Sequence, residues 1–270
     1  MEGDYSDMTD FNTKLGPGAL ADSSRSPYGI PLSIWEDVNY YVDQIAEVPP
    51  IITTGLTFFV LDFQELHTCA LRWQKRTFPD MIALSRFIYD YGAGTVVPIY
   101  GQLKNIVNKI DNVQSSQIYK EQFHLIMDQL LNSVSGSEDL AASIAVDIAE
   151  FAETTNNVKF QLTKKAGANR YKSALDVNPT DEVLRIFQAL SKLPVLIQSL
   201  KHSPLSKIQY IRGSLLAIKE DLQEIKENYS VNFAADNPLL TTFGIDLAKE
   251  EWRQAADEVY GFANKDWTLA

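Results

Sequence analysis

The chain has 270 residues, with 24 Lys and Arg against 35 Asp and Glu, a formal net charge of −11. Hydrophobic residues make up 45% and charged residues 22%, enough apolar material to bury a full core. The negative balance excludes a nucleic-acid partner, because neutralising phosphates takes a basic face, and it disfavours simple adsorption to anionic lipid.

Residues 1–30 read as a flexible arm. Gly16-Pro17-Gly18 and Ser23-Ser24-Arg25-Ser26-Pro27 are loop chemistry. Met1 to about Arg25 lacks the basic start and apolar centre of a signal peptide. No run reaches the ~18 apolar residues of a membrane-spanning helix. The expectation is a chain that is soluble as made.

From Pro31 to residue 270 the pattern is that of a helical bundle. Ile34, Trp35, Val38, Tyr41, Val42, Ile45 and Val48 recur at three-and-four spacing, and Pro49-Pro50 closes that helix. A second block runs from about Thr53 to Phe78. Its β-branched start could suit a strand, but Leu66, Ala70, Leu71 and Trp73 continue a helix. Pro79 punctuates, and Met81, Leu84, Ile88 and Tyr91 form the next seam. Gly92, Gly94 and Pro98 then predict a kink or break near Thr95, since a proline removes one helical hydrogen bond. Beyond it Ile99, Leu103, Ile106, Ile110 and Val113 step by four and three, as in a coiled coil.

Ser115-Ser116 opens a helix with Tyr119, Phe123, Ile126, Leu130 and Val134 on one face, and Ser135-Gly136-Ser137 interrupts it. Leu140 to Leu162 carries another long helix, reaching towards Tyr171, and Asp176 to Pro179 is a turn. A short apolar helix from Val183 to Leu200 is expected to break at Pro194. Pro204 starts the clearest helix, with Leu205, Ile208, Ile211, Leu215, Ile218, Leu222 and Ile225 in heptad-like register. The last helix carries Leu247, Trp252, Ala255, Val259 and Phe262. The predicted fold class is therefore all-α: an elongated bundle of long antiparallel helices, with 176–204 as a candidate small apolar head.

Enzymatic chemistry finds little support in these residues. The three histidines, His67, His124 and His202, fall on different predicted helices. A di-metal bundle needs two Glu-x-x-His motifs, and only Glu121-Gln122-Phe123-His124 matches. Zinc spacings, a nucleophile elbow and a phosphate-binding glycine loop are missing. Tyr91-Gly92-Ala93-Gly94 has no strand leading into it and reads as a flexible break. The single cysteine, Cys69, rules out an intrachain disulfide and reads as a small buried hydrophobe, with a reactive thiol as the alternative. The acidic runs Glu220-Asp221, Glu224, Glu227 and Lys249-Glu250-Glu251 read as solvated helix faces. No catalytic residue, cofactor or metal is expected.

The segment from Val183 to Leu200 is the candidate site. Val183, Leu184, Ile186, Phe187, Leu190, Leu193, Val195, Leu196, Ile197 and Leu200 are too many for one narrow buried stripe, while Arg185, Gln188, Ser191 and Lys192 mark a polar side. Either it is a short helix plugging the bundle, or it is a head that seeks lipid or a partner.

Leu71-Arg72-Trp73, then Phe78-Pro79-Asp80-Met81-Ile82-Ala83-Leu84, then Ile88-Tyr89-Asp90-Tyr91, is similar to the alpha pore-forming toxins of the cytolysin A type. These include haemolysin BL, the non-haemolytic enterotoxins and the xenorhabdolysins. The Ala217-Ile218 helix and the closing Trp252 and Tyr260 resemble the family's returning helices. The resemblance implies a five-helix tail, a small head, and a soluble form that rearranges and oligomerises with further components. This chain is short and lacks the long Gly- and Ala-rich hairpin of the family's head. Some family partners share that lack and depend on another component to insert. The expected function is thus a component of a multi-subunit α-helical pore-forming toxin, with a non-toxic helical scaffold as the alternative. The expected partners are similar helical toxin subunits and target membrane lipid, after secretion without a recognisable signal peptide.

Overall fold

A computed structural model describes residues 15–17, 27–49, 60–107, 109, 116–165, 181–202, 204–227 and 242–267. Among these, every regular element is helical. The helices are α1 (Leu32–Ala46), α2 (Val60–Arg72), α3 (Phe78–Asp90), α4 (Val96–Val107), α5 (Ser116–Val134), α6 (Ser137–Lys165), α7 (Asp181–His202), α8 (Pro204–Glu227) and α9 (Thr242–Ala263). The all-α expectation holds, as do the starts of α5 and α8. Pro204 occupies the first position of α8, where its missing N–H has no helical acceptor to lose. The expected turn at Asp176–Pro179 and the reach towards Tyr171 lie outside the described residues, as does the start of the second block before Val60.

Three expected interruptions are not helix ends. Five-residue π-helical turns, Trp73–Thr77 and Tyr91–Thr95, join α2 to α3 and α3 to α4. The Phe78 N–H donates to the Trp73 carbonyl, and the Val96 N–H to that of Tyr91. Each turn lies just before a helical proline, Pro79 or Pro98. The carbonyl four residues back, on Lys75 or Gly94, sits within the widened turn. The lost hydrogen bond and the ring clash are absorbed there instead of ending the helix. At Pro194, α7 continues without such a turn, from Asp181 to His202.

The chain forms two compact units, each assembled from separated stretches: Met1–Ser24, Ser85–Asp139 and Tyr210–Tyr260 in the first, and Arg25–Leu84, Leu140–Gln209 and Gly261–Ala270 in the second. In the first unit α4 packs against α5, and Phe123, Met127, Leu130, Ile211, Leu215, Ile218, Leu222 and Trp252 are buried. The Tyr91 ring meets Trp252 edge-on at 4.6 Å between centroids. Gly92 allows that approach, because a Cβ there would stand 2.3 Å from the Trp252 carbonyl oxygen. Within the arm, Leu15 is 1% exposed, and its carbonyl accepts from the Tyr100 hydroxyl (2.6 Å) and the Trp252 indole (3.0 Å).

The second unit is centred on aromatic rings. Trp35 packs against Tyr28, Phe78 and Phe262, and Phe78 also meets Trp267. Tyr28 holds a left-handed backbone (φ 55°) that a bulky residue adopts only when packing compels it. Here its ring is buried and its hydroxyl donates to the Met81 carbonyl at 3.4 Å. The Trp73 indole donates to Asn39 Oδ1 at 2.8 Å and its ring lies against Phe151. In this unit α1 packs against both α2 and α7.

Candidate functional site

The candidate residues all fall on α7. Ile186, Leu190, Leu193, Ile197 and Leu200 are buried, and they step by four, three, four, three. That is one helical stripe, and it packs against α1, whose buried face carries Trp35, Val38, Val42 and Ile45. Ala189 adds a small buried residue to the same stripe. Arg185 reaches Glu47 at 3.4 Å, an ion pair of two half-exposed groups that contributes little. Val183, Leu184 and Phe187 belong to α7, but their side chains lie outside the described residues.

Two of the apolar residues stand apart from the seam. Val195 is 63% exposed and Leu196 is half-buried. The sequence places ten apolar residues on this helix, and the structure assigns half of them to the stripe on α1. The expected break at Pro194 is absent because Leu190 and Leu193 before it, and Ile197 and Leu200 after it, are all anchored. Fully burying each such side chain contributes about 1.5–3 kcal/mol, against the ~3 kcal/mol that a helical proline costs.

On its outer side α7 borders α6 across an open depression of about 570 Å³, lined by Asn156, Lys159, Pro194, Val195, Gln198 and Ser199. Phe160, one turn beyond Asn156 on α6, is likewise 63% exposed. The surface therefore combines two large exposed hydrophobes with amides, a hydroxyl and an ammonium. Such a rim is suited to contact and lacks the enclosure that chemistry on a small substrate needs.

The polar anchor of the second unit is Asp147, a residue the sequence reading passed over. Its carboxylate is 4% exposed on α6. It accepts from two nitrogens on one edge of the Arg76 guanidinium, Nη2 and, at 3.0 Å, Nε, and from the Thr77 hydroxyl at 2.9 Å. The π-turn Trp73–Thr77 sets Arg76 and Thr77 side by side toward it. Arg72 lies 3.8 Å away and bonds Glu150. A signal was available in the sequence: Asp147 falls between Ile144 and Phe151 on the apolar stripe of α6, where a charge needs a partner.

The other titratable candidates are dispersed. His67 Nε2 lies 3.1 Å from the Ala46 carbonyl. Cys69 is buried, its Sγ 3.7 Å from Thr154 Oγ1, and burial pushes its thiol up and away from the reactive thiolate. Among the described residues no three His, Cys, Asp or Glu side chains stand close enough to hold a metal ion. The acidic runs are mostly exposed as expected, with one correction: Asp221 is buried, because it flanks the Ile218–Leu222–Ile225 seam. No helix among the described residues is long and apolar enough to cross a membrane.

No protein-family description matches this chain, and no curated protein sequence matches it significantly.

Proposed function

We propose that this chain is one component of a multi-subunit α-helical pore-forming toxin that assembles on a target membrane with partner subunits of similar helical type. The observation that carries the reading is α7. It is docked through a regular apolar stripe, yet it contains a proline in mid-helix and turns Val195, with part of Leu196, outward. A helix so held can exchange one apolar neighbour for another at small net cost, which is what a two-state rearrangement requires. The described helices are too short or too polar to span a bilayer, so a partner subunit supplies the spanning element in this reading.

A non-toxic helical scaffold is the second reading. The buried α1–α7 stripe favours it, since an ordinary structural helix would pack in the same way.

The two readings part in a lysis assay. Haemolysis, and dye leakage from phosphatidylcholine liposomes, are measured for the chain alone and with any long helical protein found to be encoded next to it. The toxin reading expects leakage with the partner and its loss in Val195→Glu and Leu196→Glu, with helical spectrum and melting unchanged. Leu193→Glu should instead unfold α7 from α1. Leakage that survives both outward charges would remove α7 from the mechanism. Absence of leakage with any partner would leave the scaffold.

A further inference from the structure

The first unit contains a peptide cradle that the toxin reading does not use. Two buried donors on different helices, the Tyr100 hydroxyl on α4 and the Trp252 indole on α9, converge on one backbone carbonyl, that of Leu15. Burial raises the Tyr100 phenol well above its ordinary range, so it stays protonated and remains a donor. Without that carbonyl the two donors would be left with only each other and the neighbouring Tyr91 hydroxyl, so an emptied cradle favours a further acceptor. The cradle also selects side chains. The Leu15 side chain is almost wholly enclosed. At the next position a Cβ would meet Glu251 Oε2 at 1.9 Å and the Ala248 Cα at 3.1 Å, so only glycine fits there without displacing its neighbours. The recognised unit is a leucine whose carbonyl is doubly bonded, followed by glycine.

We propose that this cradle is a peptide-binding site selective for a Leu-Gly segment, filled in cis by Leu15-Gly16 and open in trans to the same segment of a second copy of this chain. The trans occupant is the second copy because its segment satisfies every one of these constraints by identity. Exchange of one element between identical chains retains the native contacts and adds only a partner.

The test uses full-length protein. In Leu15→Asp the cis segment is expelled by burying a charge, and in Gly16→Val by the clash with Ala248. A labelled synthetic peptide of residues 12–20 should bind either variant saturably. It should bind the unaltered chain at least about tenfold more weakly, because the cis segment competes. A peptide with alanine at position 16 should lose about tenfold or more on the variants, and adding Tyr100→Phe with Trp252→Phe should abolish binding. Mixing Leu15→Asp protein with the Tyr100→Phe/Trp252→Phe protein pairs a free cradle with a free segment. Light scattering should then report a one-to-one heterodimer that neither variant forms alone. Equal binding of the glycine and alanine peptides, or no binding to either expelled variant, overturns the site. A mixture that stays unpaired overturns the exchange.

Discussion

The two units solve the same problem, a polar group inside an apolar core, with different chemistry. The second unit buries a carboxylate, Asp147, and surrounds it with the Arg76 guanidinium and the Thr77 hydroxyl. The first buries a neutral carbonyl, that of Leu15, and meets it with a phenol and an indole. A charged anchor is strong but leaves its partners exposed to salt. A neutral anchor is weaker and indifferent to ionic strength. In both units the apolar seams outweigh the anchors, and this ranking can be broken by experiment.

The largest effect belongs to a seam. Ile218 on α8 is fully buried, so Ile218→Asp should cost about 4 kcal/mol or more by enclosing an unpaired carboxylate. Glu220→Ala, two residues away and exposed, should stay within ~0.5 kcal/mol. Equal denaturant midpoints for the two would invalidate the assigned buried face.

The charged anchor comes next. Asp147→Ala strands the Thr77 hydroxyl, which is 2% exposed, at a cost of about 1–3 kcal/mol. Its penalty should shrink in about 1 M salt, because the Arg76 side chain is half exposed and its attraction is partly screened. Tyr100→Phe should cost less, about 0.5–1.5 kcal/mol, since the Leu15 carbonyl keeps the Trp252 donor. That penalty should be the same at low and high salt. A salt-sensitive Tyr100→Phe would erase the contrast between the units.

The smallest effect is one of pH. Burial holds the Asp43 carboxyl above its ordinary range, opposed by the Gln74 amide that donates to it and reinforced by Glu47. A carboxyl raised in the fold takes up its proton before the unfolded chain does. Its charged form therefore penalises the fold at neutral pH, and the penalty fades as pH falls from the raised value to the unfolded one, ~3.9. Asp43→Asn should be slightly more stable than the parent at pH 7 and indistinguishable from it near pH 3. In the first unit Asp246 runs the other way. Its hydrogen bond with Lys104 lowers it, so its contribution is present above the unfolded value and lost as pH falls through the lowered one. Thermal melts of Asp43→Asn and Asp246→Asn across that range should diverge in opposite directions.

Helix existence was legible along the chain because three-and-four spacing is a local property. Each of Ile208, Ile211, Leu215, Ile218 and Leu222 announces its face without reference to a partner. The same local reading failed at Pro79 and Pro194, and near Thr95 it placed the irregularity but not its form, a π-turn that continues the helix, since whether a proline ends a helix depends on what holds the residues on either side. It also failed at Leu15, a lone apolar residue between loop signals. The candidate segment on α7 was found from its apolar crowding, but its division into inner and outer residues was not.

The sequence by itself determined the class of fold, the register of the seams and the net negative charge, because these depend on composition and on neighbours within one helical turn. Tertiary structure alone decided that Val195 faces outward while Leu193 is buried, that Asp147 meets Arg76 and Thr77, and that one carbonyl near the start of the chain satisfies donors from α4 and α9. Those pairings join residues separated by some 70 to 237 positions. No local period encodes such distances; they are fixed only when helices dock and each buried polar group must find the partner that water no longer provides.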